Sequence, residues 1–343
     1  MKKNQYLTQT VEHIDITAFD ATSIIEAMGK MSFSAREIAR GAGIYKKMLC
    51  DPDCTIILTI AGSTGAAGCM KLFADMVKYN MVDAVVATGA AIVDMDFFEA
   101  LGHRHYIGSQ HIDDAMLRKL HIDRIYDTFI DEDALQQCDA AIKDIADACP
   151  VRPFSSREFI DRMGAYLESH SKKQESLVAL AYQNRVPIFC PAFSDSSAGF
   201  GLVMHQYEKG RPPYLSIDSV QDFRELTEIK IRANISGLFM IGGGVPKNFA
   251  QDTVVCAEIL GKPVPMHTYA VQITVADVRD GACSSSTLKE ASSWGKVDTA
   301  FEQMIYAEAT SVLPLIVSYL FHSGVWRKRQ KRMWADIFES TQH

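Results

Sequence analysis

The sequence predicts an α/β fold in which a parallel sheet is covered by helices on both faces. Short apolar runs alternate with amphipathic segments along the chain, as they do in strand–helix–strand units. Three of these runs end in turns that are rich in glycine and other small residues. The 343 residues are 48% hydrophobic and 22% charged, an ordinary balance for a chain large enough to bury a substantial core.

Five apolar runs are predicted as strands, because β-branched and aromatic residues are frequent in them and turn-forming residues bound them. They cover residues 55–61, 83–88, 186–190, 237–241 and 269–274. A helix over about 65–79 should join the first two. Two helix starts have the spacing of a capping box, Ser34 with Glu37 and Ser155 with Glu158, each beside a phenylalanine in the staple position.

The chain is expected to form a single domain over residues 1–343, because no internal repeat and no low-complexity linker divides it. The first part, about 1–50, should be helical. A helix-rich, polar insertion should span about 104–184. These segments would surround the α/β core without forming a second domain.

Charge and cysteine content narrow the possible partners. The net charge of −7 argues against nucleic acid. The cysteines form no CxxC pair and no metal-ligand spacing, which indicates reduced thiols in a cytoplasmic protein and no metal site. No apolar stretch is long enough to predict a membrane span. The basic segment 327–332 is interpreted as a solvated helix end, with contact to an anionic partner as the alternative.

The three small-residue turns are candidate phosphate sites, because parallel sheets bind ligands at the carboxyl ends of their strands. Glycine lets backbone approach a phosphate closely, and a following helix offers free N–H groups. The first turn has GxxGxxG spacing, which tight strand–helix packing would explain equally well. Together the turns predict a nucleotide site. Its candidate residues are Gly62, Ser63, Thr64, Thr88, Gly89, Gly242, Gly243 and Gly244.

Acidic residues and one lysine stand near these turns. Asp94, Asp195 and Asp280 follow predicted strands and could equally be helix caps or solvated loop residues. Lys296 ends the sequence Ser-Ser-Trp-Gly-Lys, and Glu290 lies six residues before it. A partly desolvated lysine can react as a neutral amine and form a Schiff base, although most lysines are solvated surface groups.

Taken together in this order, the motifs resemble the deoxyhypusine synthase family and its bacterial homologues. The similarity runs over about 21–321 and is carried by the segments 242–247, 280–281 and 290–296. It implies a Rossmann-like domain, a homotetramer with active sites at subunit interfaces, and bound NAD as a hydride store. It also implies transfer of a four-carbon aminoalkyl unit from a polyamine, through an imine on a catalytic lysine, to an acceptor amine.

The resemblance assigns roles to particular residues. Lys296 matches the catalytic lysine, and Trp294 and Glu290 match positions that contact the polyamine. Asp195 and Asp280 match acids on the cofactor side, and Ala307 and the residues of the three turns are grouped with them. Asp94 stands where the family usually has a glutamate, and Glu308 stands where it has an aspartate near the NAD ribose.

Three positions depart from the family's pattern. Phe200 and Cys283 stand where the family has acids that pair with the polyamine, and Asn248 stands where it has a functional histidine. Ser284, next to Cys283, is grouped with the substrate-binding positions. Loss of two carboxylates should weaken binding of a polycation. Asparagine cannot shuttle protons as histidine does.

These departures favour a small-molecule enzyme. The leading hypothesis is an NAD-dependent transferase that moves a four-carbon aminoalkyl group from a polyamine or diamine to an acceptor amine, with a homospermidine-like product. Two alternatives stay open. One is deoxyhypusine synthesis on a lysine of a translation factor, and the other is a catalytically degenerate protein that binds NAD or an amine. Retention of Lys296 argues against the degenerate protein, because a pure binder needs no nucleophile.

Overall fold

The computed structural model describes residues 2–173, 175–280 and 286–339. The strands are β1 (Cys54–Ile60), β2 (Ala84–Ala87), β3 (His105–Ile107), β4 (Ile122–Ile125), β5 (Thr128–Asp131), β6 (Pro153–Phe154), β7 (Ile188–Phe189), β8 (Ser216–Ile217), β9 (Ile235–Ile241), β10 (His267–Thr274) and β11 (Val297–Tyr306). The α-helices are α1 (Thr22–Met28), α2 (Phe33–Cys50), α3 (Met70–Lys78), α4 (Phe98–Ala100), α5 (Asp114–Lys119), α6 (Glu132–Ala148), α7 (Ser156–His170), α8 (Leu177–Asn184), α9 (Ser197–Lys209), α10 (Ser219–Arg232), α11 (Gly244–Gln251), α12 (Thr253–Ile259), α13 (Leu288–Ser293) and α14 (Ala309–Ser323). Two π-helical segments, Gly65–Cys69 and Ala90–Phe97, precede α3 and α4.

The main sheet is parallel and has the strand order β11–β10–β9–β1–β2–β7. Numbered along the chain, this is the 3-2-1-4-5-6 order of a doubly wound dinucleotide-binding sheet. The predicted fold class is therefore confirmed, and all five predicted strands lie in this sheet. The strand order reverses between β1 and β9, so a crevice is expected at their carboxyl ends.

Helices cover both faces of the sheet. Alternate side chains of β1 divide between two apolar layers, with Ile56 and Leu58 on one face and Ile57 on the other. The first layer includes residues of α2, α3, α7 and α14, and the second includes residues of α10, α11 and α13. Burial on both faces explains why β1 is a continuous apolar run without alternation.

One predicted helix start is wrong and the other is right. Helix α2 begins at Phe33, which is 92% exposed, and the Ser34 hydroxyl donates to the carbonyl of Tyr306 without capping the helix. In contrast, the side chain of Ser155 accepts a hydrogen bond from the Glu158 N–H at the start of α7. The difference is that Ser34 lies within the first turn of its helix, where a tertiary acceptor competes for its hydroxyl.

Two further segments differ from the prediction. The helix expected over 65–79 breaks at Gly68, where φ is 96° and a Cβ would lie 2.9 Å from the carbonyl oxygen of Glu12. The segment expected to be helix-rich, 104–184, also contains the antiparallel sheet β3–β5–β4. The segment around Val11 pairs with the edge of this sheet, because the Val11 N–H donates to the carbonyl of His105.

The cysteines in the described part of the chain are free, and Cys54, Cys69, Cys138 and Cys190 are buried. Across residues 2–173, 175–280 and 286–339, no helix has both the length and the apolar character needed to cross a membrane.

The basic segment near the end of the chain is only partly solvated: Arg327, Lys328 and Lys331 are exposed, whereas the Arg329 side chain is buried. The Arg329 guanidinium forms an ion pair with Asp83, and both side chains are at most 3% exposed. Arg329 also donates to the carbonyls of Cys54 (2.8 Å) and Asn80 (3.2 Å), and Asp83 accepts from the Ile56 N–H at 2.7 Å. This pair therefore ties the end of the chain to the starts of β1 and β2.

Replacing Arg329 should destabilise the fold. In Arg329→Met the carboxylate of Asp83 stays buried without its cation, so the free energy of unfolding should fall by about 3–5 kcal/mol. Urea denaturation at a fixed protein concentration measures this change. Lys328→Ala, at the exposed neighbouring position, is the matched control and should change stability by less than about 0.5 kcal/mol. Equal effects of the two variants would contradict this interpretation of the segment.

Candidate active site

Two glycine turns meet at the reversal point of the sheet. The Ala61 N–H donates to the carbonyl of Ile241 at 3.0 Å, which joins the turn after β1 to the end of β9. Gly62 and Gly244 have φ of +77° and +61°, and a Cβ on either would meet no atom within 4 Å. The Cβ of a residue at Gly242 would lie 3.2 Å from Ala61. Backbone is thus exposed at this crevice, where a ligand can approach it closely.

A cleft of about 690 Å³ lies beside the first turn. Ser63, Thr64 and Glu308, three of the sequence-predicted cofactor residues, line this cleft. The opposite wall comes from the β3–β5–β4 sheet and includes Ile107 and Tyr126. The sequence did not indicate this wall, because nothing in the segment showed that a small sheet would fold back over the turn.

Glu308 has a second role as the N-cap of α14. Its carboxylate accepts hydrogen bonds from the N–H groups of Thr310 (3.0 Å) and Ser311 (3.1 Å). Partial burial would raise the pKa of Glu308, but these bonds outweigh it and the pKa is lowered. The preceding Ala307 donates its N–H to the carbonyl of Thr274 at 3.1 Å. The chain therefore holds a carboxylate, ionised at neutral pH, in the wall of the cleft.

The turn after β2 packs closely against the loop after β7. A Cβ on Gly89 would lie 2.5 Å from the Ser196 hydroxyl, so only glycine fits there. The Asp94 carboxylate accepts from the Ser197 N–H at 2.8 Å, and Asp195 is exposed in the same loop. Burial raises the pKa of Asp94 to about 6 against the opposing effect of the Ser197 N–H. The structure thus brings Thr88, Gly89, Asp94 and Asp195 into one region.

Lys296 lies immediately before β11 and is paired with a residue that the sequence analysis missed. Its Nζ is 2.5 Å from Oδ1 of Asp252, and its side chain is only 14% exposed. The Nζ also lies 5.2 Å from the centre of the Trp294 ring, which is itself largely exposed. Lys296 is therefore an ion-paired ammonium held between a carboxylate and an aromatic face.

Helix α11 links this pair to the glycine turn. The helix begins at Gly244, and Asp252 directly follows its last residue, Gln251. Asn248 lies four residues before Asp252, so the two side chains share one helix face. The four-residue spacing of Asn248 and Asp252 is visible in the sequence. It points to Asp252 as a site residue only when the contact between Lys296 and this helix is known.

A second lysine lies in the first turn of α11. Burial lowers the pKa of Lys247 to about 8; the nearby Glu290 carboxylate opposes this shift and the charge of Lys296 adds to it. Its Nζ donates to the carbonyl of Ser286. Lys247 therefore lies close enough to Lys296 and Glu290 for their charges to act on it.

The remaining predicted substrate residues are more dispersed. Glu290 forms a capping box with Thr287 at the start of α13, and the N–H of Thr287 lowers the pKa of Glu290. Phe200 is exposed on α9, and Asp280 is exposed in the loop after β10. Cys283 and Ser284 lie outside the described residues.

Sequence comparison gives a consistent family relationship. The deoxyhypusine synthase family model matches residues 23–320. A deoxyhypusine synthase-like protein of Coxiella burnetii is 66% identical, over 98% of this chain and 96% of that protein. The protein named "Probable deoxyhypusine synthase 2" of Methanosarcina mazei is 35% identical, over 97% of this chain and 96% of its own length.

Among solved structures, one from Entamoeba histolytica, described as a candidate deoxyhypusine synthase, superposes with a TM-score of 0.63. The superposition covers 94% of this chain and 99% of that chain at 21% identity, so it bears on the fold alone.

Asp94 should make stability depend on pH. Its folded pKa of about 6 lies above the ordinary value of 3.8, so its contribution favours folding at low pH and is lost as pH rises from about 4 to 6. Asp94→Asn keeps an acceptor for the Ser197 N–H and should therefore be more stable than the parent protein at pH 7, by about 1–3 kcal/mol. Denaturation at pH 4 and pH 7 tests this. A difference between the two proteins that is the same at both pH values would contradict it.

Proposed function

The chain belongs to the deoxyhypusine synthase family, and from this premise we propose an NAD-dependent aminoalkyl transferase that works through an imine on Lys296. Family membership supports an aminobutyl-transferase kind of function. The observation that carries the proposal is the partly buried Lys296–Asp252 pair, with 2.5 Å between Nζ and Oδ1. A nucleophilic lysine needs a nearby group to take its proton, and Asp252 is within reach to do so.

The glycine turns and the cleft beside them fit NAD. The crevice lies where a doubly wound sheet binds dinucleotides, and open space faces Gly62 and Gly244. Ser63 and Thr64 would hold the phosphates, and Glu308 would bind a ribose hydroxyl from the cleft wall. NAD bound there would supply a hydride acceptor for oxidation of the amine donor and a hydride donor for reduction of the product.

The chain's own residues would handle the covalent transfer. Asp252 accepts a proton from the Lys296 ammonium, and the neutral Nζ adds to the imine carbon of the oxidised donor. The bond from that carbon to the original amine breaks, and the amine leaves with a proton. The four-carbon unit then remains on Lys296 as an imine until the acceptor amine displaces it. The Trp294 ring, 5.2 Å from Nζ, favours a cation at this position.

The donor is proposed to be a small amine with few cationic anchor points. Phe200 offers an aromatic surface where the family pattern has an acid, and such a surface suits a guanidinium or a short diamine. Putrescine and agmatine are therefore the leading donors, with homospermidine-like products.

A homo-oligomer is part of the proposal. The apolar face of α9 consists of exposed residues at helical spacing: Phe200, Val203, Met204 and Tyr207. An exposed apolar stripe of this kind indicates an interaction surface. Because Phe200 belongs to the stripe, a second copy packed there would also cover Phe200. A homotetramer is the assembly that the family resemblance implies.

Borohydride trapping tests the covalent step. The protein is incubated with NAD and with putrescine, agmatine or spermidine separately, reduced, digested and mapped by mass spectrometry. We expect a four-carbon amine adduct on Lys296 with one donor, and none on the exposed Lys289 or in Lys296→Arg. Measurable NAD binding without an adduct from any of these amines would exclude the mechanism for these donors.

A matched pair of glycine variants tests the cofactor site. Gly62 and Gly261 have φ of +77° and +72°, and a Cβ on either meets no atom within 4 Å. Both alanine variants should therefore lose a similar amount of stability, about 1–2 kcal/mol. Only Gly62→Ala, in the crevice, should weaken NAD binding by more than about tenfold in calorimetry, since its methyl group would occupy space needed by the ligand. Equal affinities of the two variants would count against the assigned site.

Charge placed on the α9 stripe should separate the subunits. Val203→Glu buries a carboxylate in the proposed interface and should shift the mass measured by light scattering toward the monomer. Val220→Glu, on another exposed valine at the start of α10, should leave the mass unchanged. If Val203→Glu also kept the parent mass, α9 would not be the interface.

A further inference from the structure

A row of three buried polar side chains, joined by hydrogen bonds, lies near the Lys296–Asp252 pair. The proposed chemistry does not use these side chains. They are Lys230 on α10, Ser236 on β9 and His267 at the start of β10, all fully buried. The Lys230 Nζ lies 2.8 Å from the Ser236 hydroxyl oxygen, which lies 2.9 Å from Nδ1 of His267. Nε2 of His267 lies 3.2 Å from the carbonyl oxygen of Ala250. The row thus runs from the core to the end of α11.

The direction of each of these hydrogen bonds follows from which side chains can donate and which can accept. Lysine only donates, so the Ser236 oxygen accepts from Lys230 and its hydroxyl donates to Nδ1 of His267. Nδ1 is then an acceptor, and the ring carries its proton on Nε2, from which it donates to Ala250. Complete burial lowers the pKa of His267 well below its usual range, which agrees with a neutral ring.

His267 contacts both segments that carry the reactive pair. Its backbone N–H donates to the carbonyl of Lys296 at 2.9 Å, which fixes the residue before β11. Its ring donates to Ala250, two residues before Asp252, and the Thr253 hydroxyl donates to the same carbonyl at 2.7 Å. One residue therefore connects the two segments, through its backbone to Lys296 and through its side chain to the end of α11 before Asp252.

The buried lysine is costly unless it has a use. Among the described residues, no carboxylate lies within 4.0 Å of the Lys230 Nζ, and burial lowers the pKa of Lys230 to about 8. A core position that served packing alone would be better filled by an apolar side chain of the same length. A lysine has a use at this position if it orients the Ser236 hydroxyl, because that hydroxyl in turn orients the His267 ring.

We propose that His267 is a positioning residue that sets the distance between Lys296 and Asp252, with Ser236 and Lys230 fixing its hydrogen-bonding state. The proposal rests on the proposed function only in its assumption that the pair is the reactive one. The contacts of His267 hold independently of that assumption, and they can be tested without any amine substrate.

The test is competitive acetylation of the lysines in the intact protein at fixed pH. Acetic anhydride reacts with neutral amines, so the carboxylate of Asp252 should protect Lys296. The readout is the labelling of Lys296 relative to the exposed Lys289, measured by mass spectrometry, and thermal unfolding shows that each variant is folded. Asp252→Asn gives the value for an unprotected Lys296.

Four variants separate positioning from simple packing. His267→Phe keeps a ring but removes both nitrogens, and should raise the labelling ratio roughly fivefold, towards the Asp252→Asn value. His267→Gln keeps a side-chain N–H for Ala250 and should restore most of the protection. Ser236→Ala should give an intermediate ratio. Lys230→Met removes the donor to the Ser236 hydroxyl oxygen and should raise the ratio above the parent value, by no more than Ser236→Ala does.

The outcomes distinguish this inference from the proposed function. A parent-like ratio in His267→Phe, alongside a raised ratio in Asp252→Asn, would overturn the positioning role only. A ratio in His267→Gln as high as in His267→Phe would also overturn it. A parent-like ratio in Asp252→Asn would overturn the inference together with the ion pair on which the proposed function depends. If His267→Phe does not fold, His267→Gln and Ser236→Ala still test the positioning role. Parent-like labelling of Lys296 in Ser236→Ala would contradict the role of Ser236 in fixing His267.

Discussion

The reversal of strand order between β1 and β9 is the constraint on which the rest of the molecule depends. The connections from these two strands lead to opposite faces of the sheet, so their carboxyl ends stay uncovered and form a crevice. The turns on both sides of the crevice contain glycines with positive φ, Gly62 after β1 and Gly244 after β9, a backbone conformation that other residues rarely adopt. The cleft and the start of α11 follow from this geometry.

Helix α11 connects the crevice with the Lys296–Asp252 pair. It starts at the glycine turn and ends beside Asp252, which reaches the ammonium of Lys296 at the opposite end of the sheet's strands. One short helix thus relates the proposed cofactor crevice to the proposed nucleophile. Trp294 and Phe200 are both exposed, but they lie near opposite edges of the sheet, beside β11 and after β7.

The sequence predicted the features that are local and strongly patterned. Five buried strands and their glycine turns were identified because continuous apolar runs and small residues mark them directly. Strand β11 was missed because it is an edge strand that includes Asp298, Glu302 and Gln303. Asp252 and Arg329 gain their importance only from contacts with residues far away in the chain. Residues of that kind cannot be identified from periodicity or spacing.

If the crevice and Lys296 form one catalytic unit, as proposed, the lysine adduct can form only when NAD is bound. The protein is freed of nucleotide, divided, and exposed to the reactive amine with and without NAD before reduction and mass analysis. We expect an adduct on Lys296 only in the sample with NAD, because the amine must first be oxidised. An adduct of equal yield in both samples, or none in either, would contradict it.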